Sequence, residues 1–435
     1  MIQEFYVENF KSIKTKQGIS FVPNKRMNNG FEDYLLSPVT DKIKLLKLGI
    51  LYGYNASGKS NFLDAMQFLR DIILKSPDSK DQGIQFEPFL LDKETVDKPG
   101  SFYIVFYINK IKYEYFISLD KKRIYSETLY FTPEGRKSRV YSRTFDKENQ
   151  ISKIIFGSSC KFKAKDKLVL KGNTFENCSV IAAYRKTNVN SEEFENVSNY
   201  FKVNIMPVVF PQMSLENWSF SKFKENSGEK EFFIKLLAKA DFQITDLKIE
   251  EEKINVTEKL ITSLNNHGIP KQIIEDIKEK KQIEANKLLF SHSTKKGDYY
   301  IPMQQESVGT KRYFGLSGIM NELLQNPKVL ALDEIETSLH PELVAFFLEM
   351  FLMNSKNSQM LVTTHNQQLM DQDYMRNDMI WFCEKDEEGA SNYYSAQEFN
   401  LHKNVSVSNH YRAGKLGAFP NLGSPIIMKD GDANK

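Results

Sequence analysis

The stretch Gly53-Tyr54-Asn55-Ala56-Ser57-Gly58-Lys59-Ser60 constrains this chain more than any other part of it. It satisfies G-x-x-x-x-G-K-[ST] without a mismatch. The apolar run Leu46 to Tyr52 precedes it, and Ser60 to Leu74 follows, with Phe62, Met66 and Leu69 on one helical face. A loop between a buried strand and a helix presents backbone N–H groups to an anion and aims the positive end of the helix at it. Gly53 and Gly58 allow close approach, Lys59 suits the β- and γ-phosphates, and the Ser60 hydroxyl suits Mg²⁺. Asn55 and Asn61 complete the expected set of nucleotide contacts. The context predicts an α/β core.

A second acidic element answers the first. In Pro327 to Pro341, the apolar strand Val329 to Leu332 ends in Asp333-Glu334. Carboxylates at the carboxyl end of a parallel strand face the crevice where ligands bind. Asp333 is expected to hold Mg²⁺ through water, and Glu334 to polarise the attacking water as general base. Gln359 to Asn366 is another strand, ending in His365, where an imidazole can bond the γ-phosphate. Upstream, Gln305 to Leu316 places Ser307 and Gly309 before a helix. Their hydroxyl and amide make a second anion site, suited to a partner's nucleotide. Lys59 and Asp333 are about 270 residues apart. Small GTPases and nucleoside kinases usually bring these elements together much sooner.

With these pieces in order, the chain resembles an ABC-type ATPase of the SMC and recombination-ATPase kind. On that resemblance Gly53 to Ser60 matches Walker A, Glu306 to Thr310 the ABC signature, and Leu330 to Glu334 Walker B. Ser338 to Pro341 matches the D-loop, and His365 the switch histidine. The signature departs from L-S-G-G-Q. Gln85, before Phe86 to Leu91, is the best candidate for the metal-contacting glutamine between the lobes. Glu306 to Thr310, the "SLHP" segment and Tyr411 to Leu422 further resemble stand-alone ATPases of bacterial abortive-infection and two-gene anti-phage systems. The implied fold is an ABC-type P-loop ATPase head: a mixed sheet with flanking helices, an antiparallel β subdomain and a short inserted helical arm. The implied ligands are ATP and Mg²⁺. The implied assembly is a homodimer or higher homo-oligomer with composite sites.

Three segments are expected. Residues 1–228 form the N-terminal part of the head. Its strands are Glu4 to Ile13, a hairpin over Ser101 to Asp120 turning at Asn109-Lys110, and Arg123 to Phe131. Residues 229–297 form the arm, with an amphipathic helix over Glu229 to Ala240 and two helices over Ile254 to Leu289, broken at Asn265 to Pro270. Residues 298–435 complete the head and end in a disordered tail, Lys429 to Lys435. Two helices of that arm reach about 25 Å, far short of a long coiled coil.

Composition narrows the function. A net charge of +3 gives little support to nucleic-acid binding, although DNA remains possible. Cys160, Cys178 and Cys383 show no zinc or disulfide spacing, and a reducing compartment fits. The first residues carry charges within their apolar stretch, unlike a signal peptide, and Leu343 to Met353 reads as a buried helix. A cytoplasmic protein without a membrane segment is expected. The roughly 70 residues after His365 are too few for the nuclease domain of OLD-type relatives. The leading expectation is an ATP-hydrolysing sensor of an anti-phage system, controlling a separately encoded effector. A DNA-repair or DNA-structure-binding ATPase is the alternative, and a nucleotide-locked scaffold the weaker third.

Overall fold

The computed structural model describes residues 1–27, 30–225, 227–240, 242–266, 271–280, 282–399, 401, 405–421 and 423. The chain divides into two compact units: residues 1–212, 323–337 and 344–435 form the first, and 213–322 with 338–343 the second.

The first unit holds two main sheets. Strands β1 (Ile2–Glu8) and β2 (Gln17–Ser20) precede helix α1 (Glu32–Leu35), a ribbon of β3 (Leu36–Pro38) and β4 (Lys44–Leu46), then β5 (Leu48–Tyr52) and α2 (Lys59–Leu74). Next come β6 (Gly100–Ile108), β7 (Ile111–Leu119), β8 (Ile124–Thr132), β9 (Ser138–Asp146) and β10 (Ile151–Phe156). These join β1 and β2 in an antiparallel sheet of order β10-β9-β8-β7-β6-β1-β2. The expected hairpin turn is present, with Asn109 at φ 46° and Lys110 at φ 67°, as a tight two-residue turn requires. Helices α3 (Ala164–Asn173), α4 (Val180–Arg185) and α5 (Glu192–Asn199) follow.

A buried ion pair ties this sheet to α2. Glu127 and Arg143, both fully buried, stand 3.9 Å apart. Glu127 accepts from the hydroxyls of Tyr115 (3.0 Å) and Tyr141 (2.6 Å), and from the Val180 N–H at the start of α4. Arg143 donates to the carbonyls of Phe175, Glu176 and Cys178. The same segment reaches α2 through Ser179 Oγ, which donates to the Ile72 carbonyl at 2.8 Å.

The second unit contains α6 (Leu215–Glu225), α7 (Lys230–Lys239), β11 (Ile244–Asn255), α8 (Glu258–Asn266), α9 (Lys271–Lys278), β12 (Gln282–Thr294), β13 (Gly297–Pro302) and most of α10 (Val308–Gln325). Its core sets Phe233 edge-on to Phe223 and tilted against Phe314, and Phe290 edge-on to Phe314. The arm differs from expectation. Helices α7, α8 and α9 fall where helices were expected, but Gln282–Thr294, expected to begin as helix, is a strand paired along β11, with Ile249 opposite Leu288 and Leu247 opposite Phe290. Eleven cross-strand partners satisfy backbone groups that Glu- and Lys-rich local propensity would have put in a helix. The breaker residues 267–270 lie outside the described residues. The unit also begins before residue 229. Helix α6 packs on the glycine face of α10, where Ser219 Oγ donates to the Gly315 carbonyl at 2.8 Å.

The chain returns to the first unit with β14 (Val329–Leu332), α11 (Pro341–Asn354), β15 (Gln359–Thr363), β16 (Ile380–Lys385), β17 (Ser391–Ser395) and α12 (Val407–Arg412). With β5 they form a sheet of order β14-β15-β5-β16-β17, parallel except for β17. Every residue of β5, β14 and β15 is buried, as a strand covered on both faces requires. Phe62 of α2 touches Phe5 of β1 and Tyr393 of β17, which sets the helix between the two sheets. The tail Lys429 to Lys435 and Leu422 lie outside the described residues. Among the described residues no helix is long and apolar enough to cross a membrane.

Candidate functional site

The loop after β5 folds as the glycine spacing dictates. Gly58 closes it at φ +118°, a value that side chains rarely adopt, and a Cβ there would strike Ser391 and Ser12. A Cβ on Gly53 would strike the Cys383 carbonyl and Ser57. Behind the loop, Ser391 Oγ donates to the Ser57 carbonyl at 2.6 Å, and the Tyr393 hydroxyl to the Gly58 carbonyl at 2.7 Å. The walls of the loop are therefore rigid, and Ser57 Oγ is buried with no hydrogen-bond partner.

Lys59 opens α2 and is only 6% exposed. Its ammonium donates to the carbonyls of Gly53 (2.9 Å) and Tyr54 (3.3 Å) and lies 3.2 Å from His365 Nε2. A donating ammonium fixes Nε2 as acceptor, so the ring proton sits on Nδ1. Burial lowers the pKa of His365, and the Lys59 charge lowers it further. Burial likewise lowers that of Lys59. A cavity of about 570 Å³ opens here, lined by Gly53, Tyr54, Asn55, His365, Gln367 and Tyr411 among others. Ser60 is exposed on the first turn of α2.

The acidic strand ends nearby in the fold. Strands β5, β14 and β15 run parallel, so the residues following their carboxyl ends share one edge. Asp333 is buried, and its Oδ1 accepts from Thr363 Oγ1 at 2.5 Å. The same Thr363 oxygen accepts from the Glu334 N–H at 2.8 Å. Glu334 stands at φ +45°, a left-handed conformation that costs a non-glycine residue roughly 1–3 kcal/mol. Glu336 Oε1 accepts from the His365 N–H at 2.6 Å, and its Oε2 is buried without a partner.

Asn61, Gln85, Ser307 and Gly309 do not line the glycine-loop cavity. The Asn61 carboxamide donates to Ser12 Oγ at 2.7 Å and braces the loop from behind. Gln85 is exposed on a segment whose Ile84 N–H bonds the Lys121 carbonyl at the β7–β8 turn, not the glycine loop. Ser307 and Gly309 belong to the second unit. There the Ser307 hydroxyl caps α10, accepting from the Thr310 N–H at 3.0 Å, and a Cβ on Gly309 would press on the Ser338 carbonyl at 3.0 Å. Thr363, Glu336 and Tyr411 were not foreseen. Thr363 and Tyr411 lay inside quoted motifs, but nothing in their residue type announces a bridging hydroxyl or a cavity wall.

The donor set suits a magnesium–triphosphate. It offers an ammonium, a helix N-terminus, one exposed hydroxyl in Ser60 and one buried carboxylate in Asp333. Among the described residues no cluster of three His, Cys, Asp or Glu could hold a metal alone. Mg²⁺ would therefore take its remaining ligands from phosphate and water. A buried ammonium beside a helix-opening glycine loop, with strand-end carboxylates on the same sheet edge, defines a P-loop nucleotide-binding head. Residues 49–167 and 215–371, more than half of the chain, match the family described as "AAA domain, putative AbiEii toxin, Type IV TA system", and the chain belongs to that family. Among solved structures it is similar to the SMC head domain from Thermotoga maritima, at 14% identity over 91% of this chain and 98% of that one, with a TM-score of 0.42. It is also similar to an SMC head bound to the C-terminal winged-helix domain of ScpA, at 13% identity over 94% and 99%, with a TM-score of 0.38. Comparison with curated proteins finds no match.

Proposed function

We propose that the chain is a cytoplasmic ATP-hydrolysing switch that works as a homodimer and regulates a separately encoded effector of an anti-phage system. The observation that carries the ATPase part is the contact of Lys59 with His365, which lines the cavity at the glycine loop, on the sheet edge that also bears Asp333 and Glu334. The match to a family described by an abortive-infection protein supports the defence role. Lys59 and the amides of Gly53 to Ser60 bind the phosphates. Asp333 and Ser60 hold Mg²⁺, which when bound neutralises charge on the β- and γ-phosphates. Glu334 accepts a proton from water, and His365 moves from Lys59 toward the γ-phosphate. Ser307 and the α10 N-terminus serve the nucleotide of a second chain.

Two substitutions test this. Glu334→Gln keeps ATP binding and abolishes phosphate release, because the amide cannot accept the water proton. Turnover at the parent rate would remove Glu334 from the role of base. Chains carrying Lys59→Ala and Ser307→Arg, each inactive alone, recover activity on mixing, since one composite site of the mixed dimer carries neither lesion. Tagged heterodimers that form yet stay inactive would leave a linked dimer with both lesions in one chain to decide. Half activity there would place Ser307 in its own chain's site.

A further inference from the structure

A second cavity of the first unit, about 540 Å³, opens at the tips of the antiparallel sheet. That volume falls in the range of small-ligand clefts, roughly 300–1,000 Å³. Its floor is aromatic: Phe86 and Phe145 are buried, and Tyr125 is partly exposed. Its rim is cationic, with Lys121, Lys122 and Arg123 from the β7–β8 turn and Lys147 from the β9–β10 turn.

Of these four cations, Arg123 alone is ion-paired among the described residues. Asp120 is occupied within its own turn: Oδ1 accepts from the N–H groups of Lys122 (2.7 Å) and Arg123 (2.8 Å), and Oδ2 from the Tyr125 hydroxyl (2.7 Å). Asp97 is the other carboxylate lining the cavity. Lys121 and Lys122 are exposed and make no ion pair among the described residues. Arg123 is fixed instead. Its guanidinium lies 4.3 Å from the Phe145 ring centre, donates to Gln150 Oε1 at 3.0 Å, and pairs with Glu176 at 3.5 Å. Tyr125 meets Phe145 edge-on at 5.9 Å. A lysine turn alone is ordinary solvated surface. Here it surrounds a concavity whose floor offers ring faces and a held guanidinium plane, which stack on any nucleobase.

The geometry points to a second ligand site at this cavity, for a nucleoside phosphate, either free or at the end of a single strand. The base lies against Tyr125 and the Arg123–Phe145 shelf, and the phosphate meets Lys121, Lys122 and Lys147. No residue lining this cavity lines that of the glycine loop.

Calorimetric titration with adenosine 5′-monophosphate and with a deoxyadenylate hexamer tests the assignment. Both probes lack the β-phosphate that the glycine loop grips. Saturable binding is expected for the parent chain and for a Lys161→Glu/Lys163→Glu control, which carries the same charge change elsewhere. Affinity should fall at least tenfold in Lys121→Glu/Lys147→Glu and at least fivefold in the uncharged Tyr125→Leu variant, with circular dichroism confirming both folds. A hexamer more than tenfold tighter than the monophosphate identifies a strand end as the ligand; a smaller ratio identifies a free nucleotide. No saturable heat from either probe up to millimolar concentration overturns the assignment. So does a loss shared by the control, or a Tyr125→Leu variant that binds like the parent.

Discussion

Thr363→Val isolates the joint between the two acidic residues. Threonine and valine have nearly the same shape, so the change removes a hydroxyl and leaves the packing of β15 intact. That hydroxyl makes a buried hydrogen bond to Asp333 Oδ1 at 2.5 Å and accepts a part-buried one from the Glu334 N–H at 2.8 Å. The first is to a charged group, worth about 1.5–3 kcal/mol, and the second is an ordinary part-buried bond, worth about 0.5–1.5 kcal/mol. A loss of about 3 kcal/mol is therefore expected, which lowers a urea midpoint by about 1 M at an m-value of about 3 kcal/mol/M. Turnover should fall at least tenfold, because Glu334 loses the bond that fixes its left-handed backbone. Thr363→Ser keeps the hydroxyl and should keep most of both. Urea unfolding and phosphate release on the three proteins check this. A Val variant with a midpoint within 0.2 M of the parent and parent-like turnover would refute the bridging role.

Other outcomes follow from single contacts. Burial and Lys59 depress the pKa of His365 below its ordinary 6.5, so protonation favours the unfolded chain. Its stabilising share is complete above pH 6.5 and is lost as pH falls through the depressed value; urea midpoints from pH 5 to 8 should show the decline, and His365→Gln should flatten it. Gly58→Ala forces a Cβ onto Ser391 and Ser12 at φ +118° and should weaken ATP binding at least tenfold by calorimetry. Glu127→Leu leaves the buried Arg143 charge uncompensated and should cost about 3–5 kcal/mol in denaturant unfolding. Adding Arg143→Met should return much of that loss, because the penalty lies in the unpaired charge.

What the sequence disclosed follows the reach of each signal. The glycine loop and α2 were legible because an apolar run, a turn glycine and a lysine fall within about twenty residues of one another, and the two strand ends because a carboxylate or an imidazole directly follows an apolar run. The hairpin at Asn109-Lys110 was legible for the same reason. The strands of the arm were not. Residues 282–289 carry helix-forming Glu, Lys, Ala and Leu, and only pairing with residues 248–255 makes them extended. The hydrogen bond from the Asn61 carboxamide to Ser12 was not legible either, because Ser12 lies nearly fifty residues away. Glu336 and Thr363 are polar residues in an acidic turn and a β-rich strand, indistinguishable by type from solvated neighbours until the fold buries Thr363 and the Oε2 atom of Glu336.

The contact between Lys59 and His365 bears on how such a head could be held off and then switched. An ammonium has three protons. Those of Lys59 already face the Gly53 carbonyl, the Tyr54 carbonyl and His365 Nε2. The group that would grip the phosphates is thus tied back to its own loop and to the histidine proposed to meet the γ-phosphate. A ligand shifts a conformational equilibrium only by its differential affinity for the two states. A nucleotide lacking a γ-phosphate can recruit Lys59 through its β-phosphate, yet offers His365 nothing in exchange for the broken contact. A triphosphate offers a new partner to both. On the proposed roles of Lys59 and His365, the third phosphate, more than the nucleotide as a whole, would be the quantity this arrangement distinguishes.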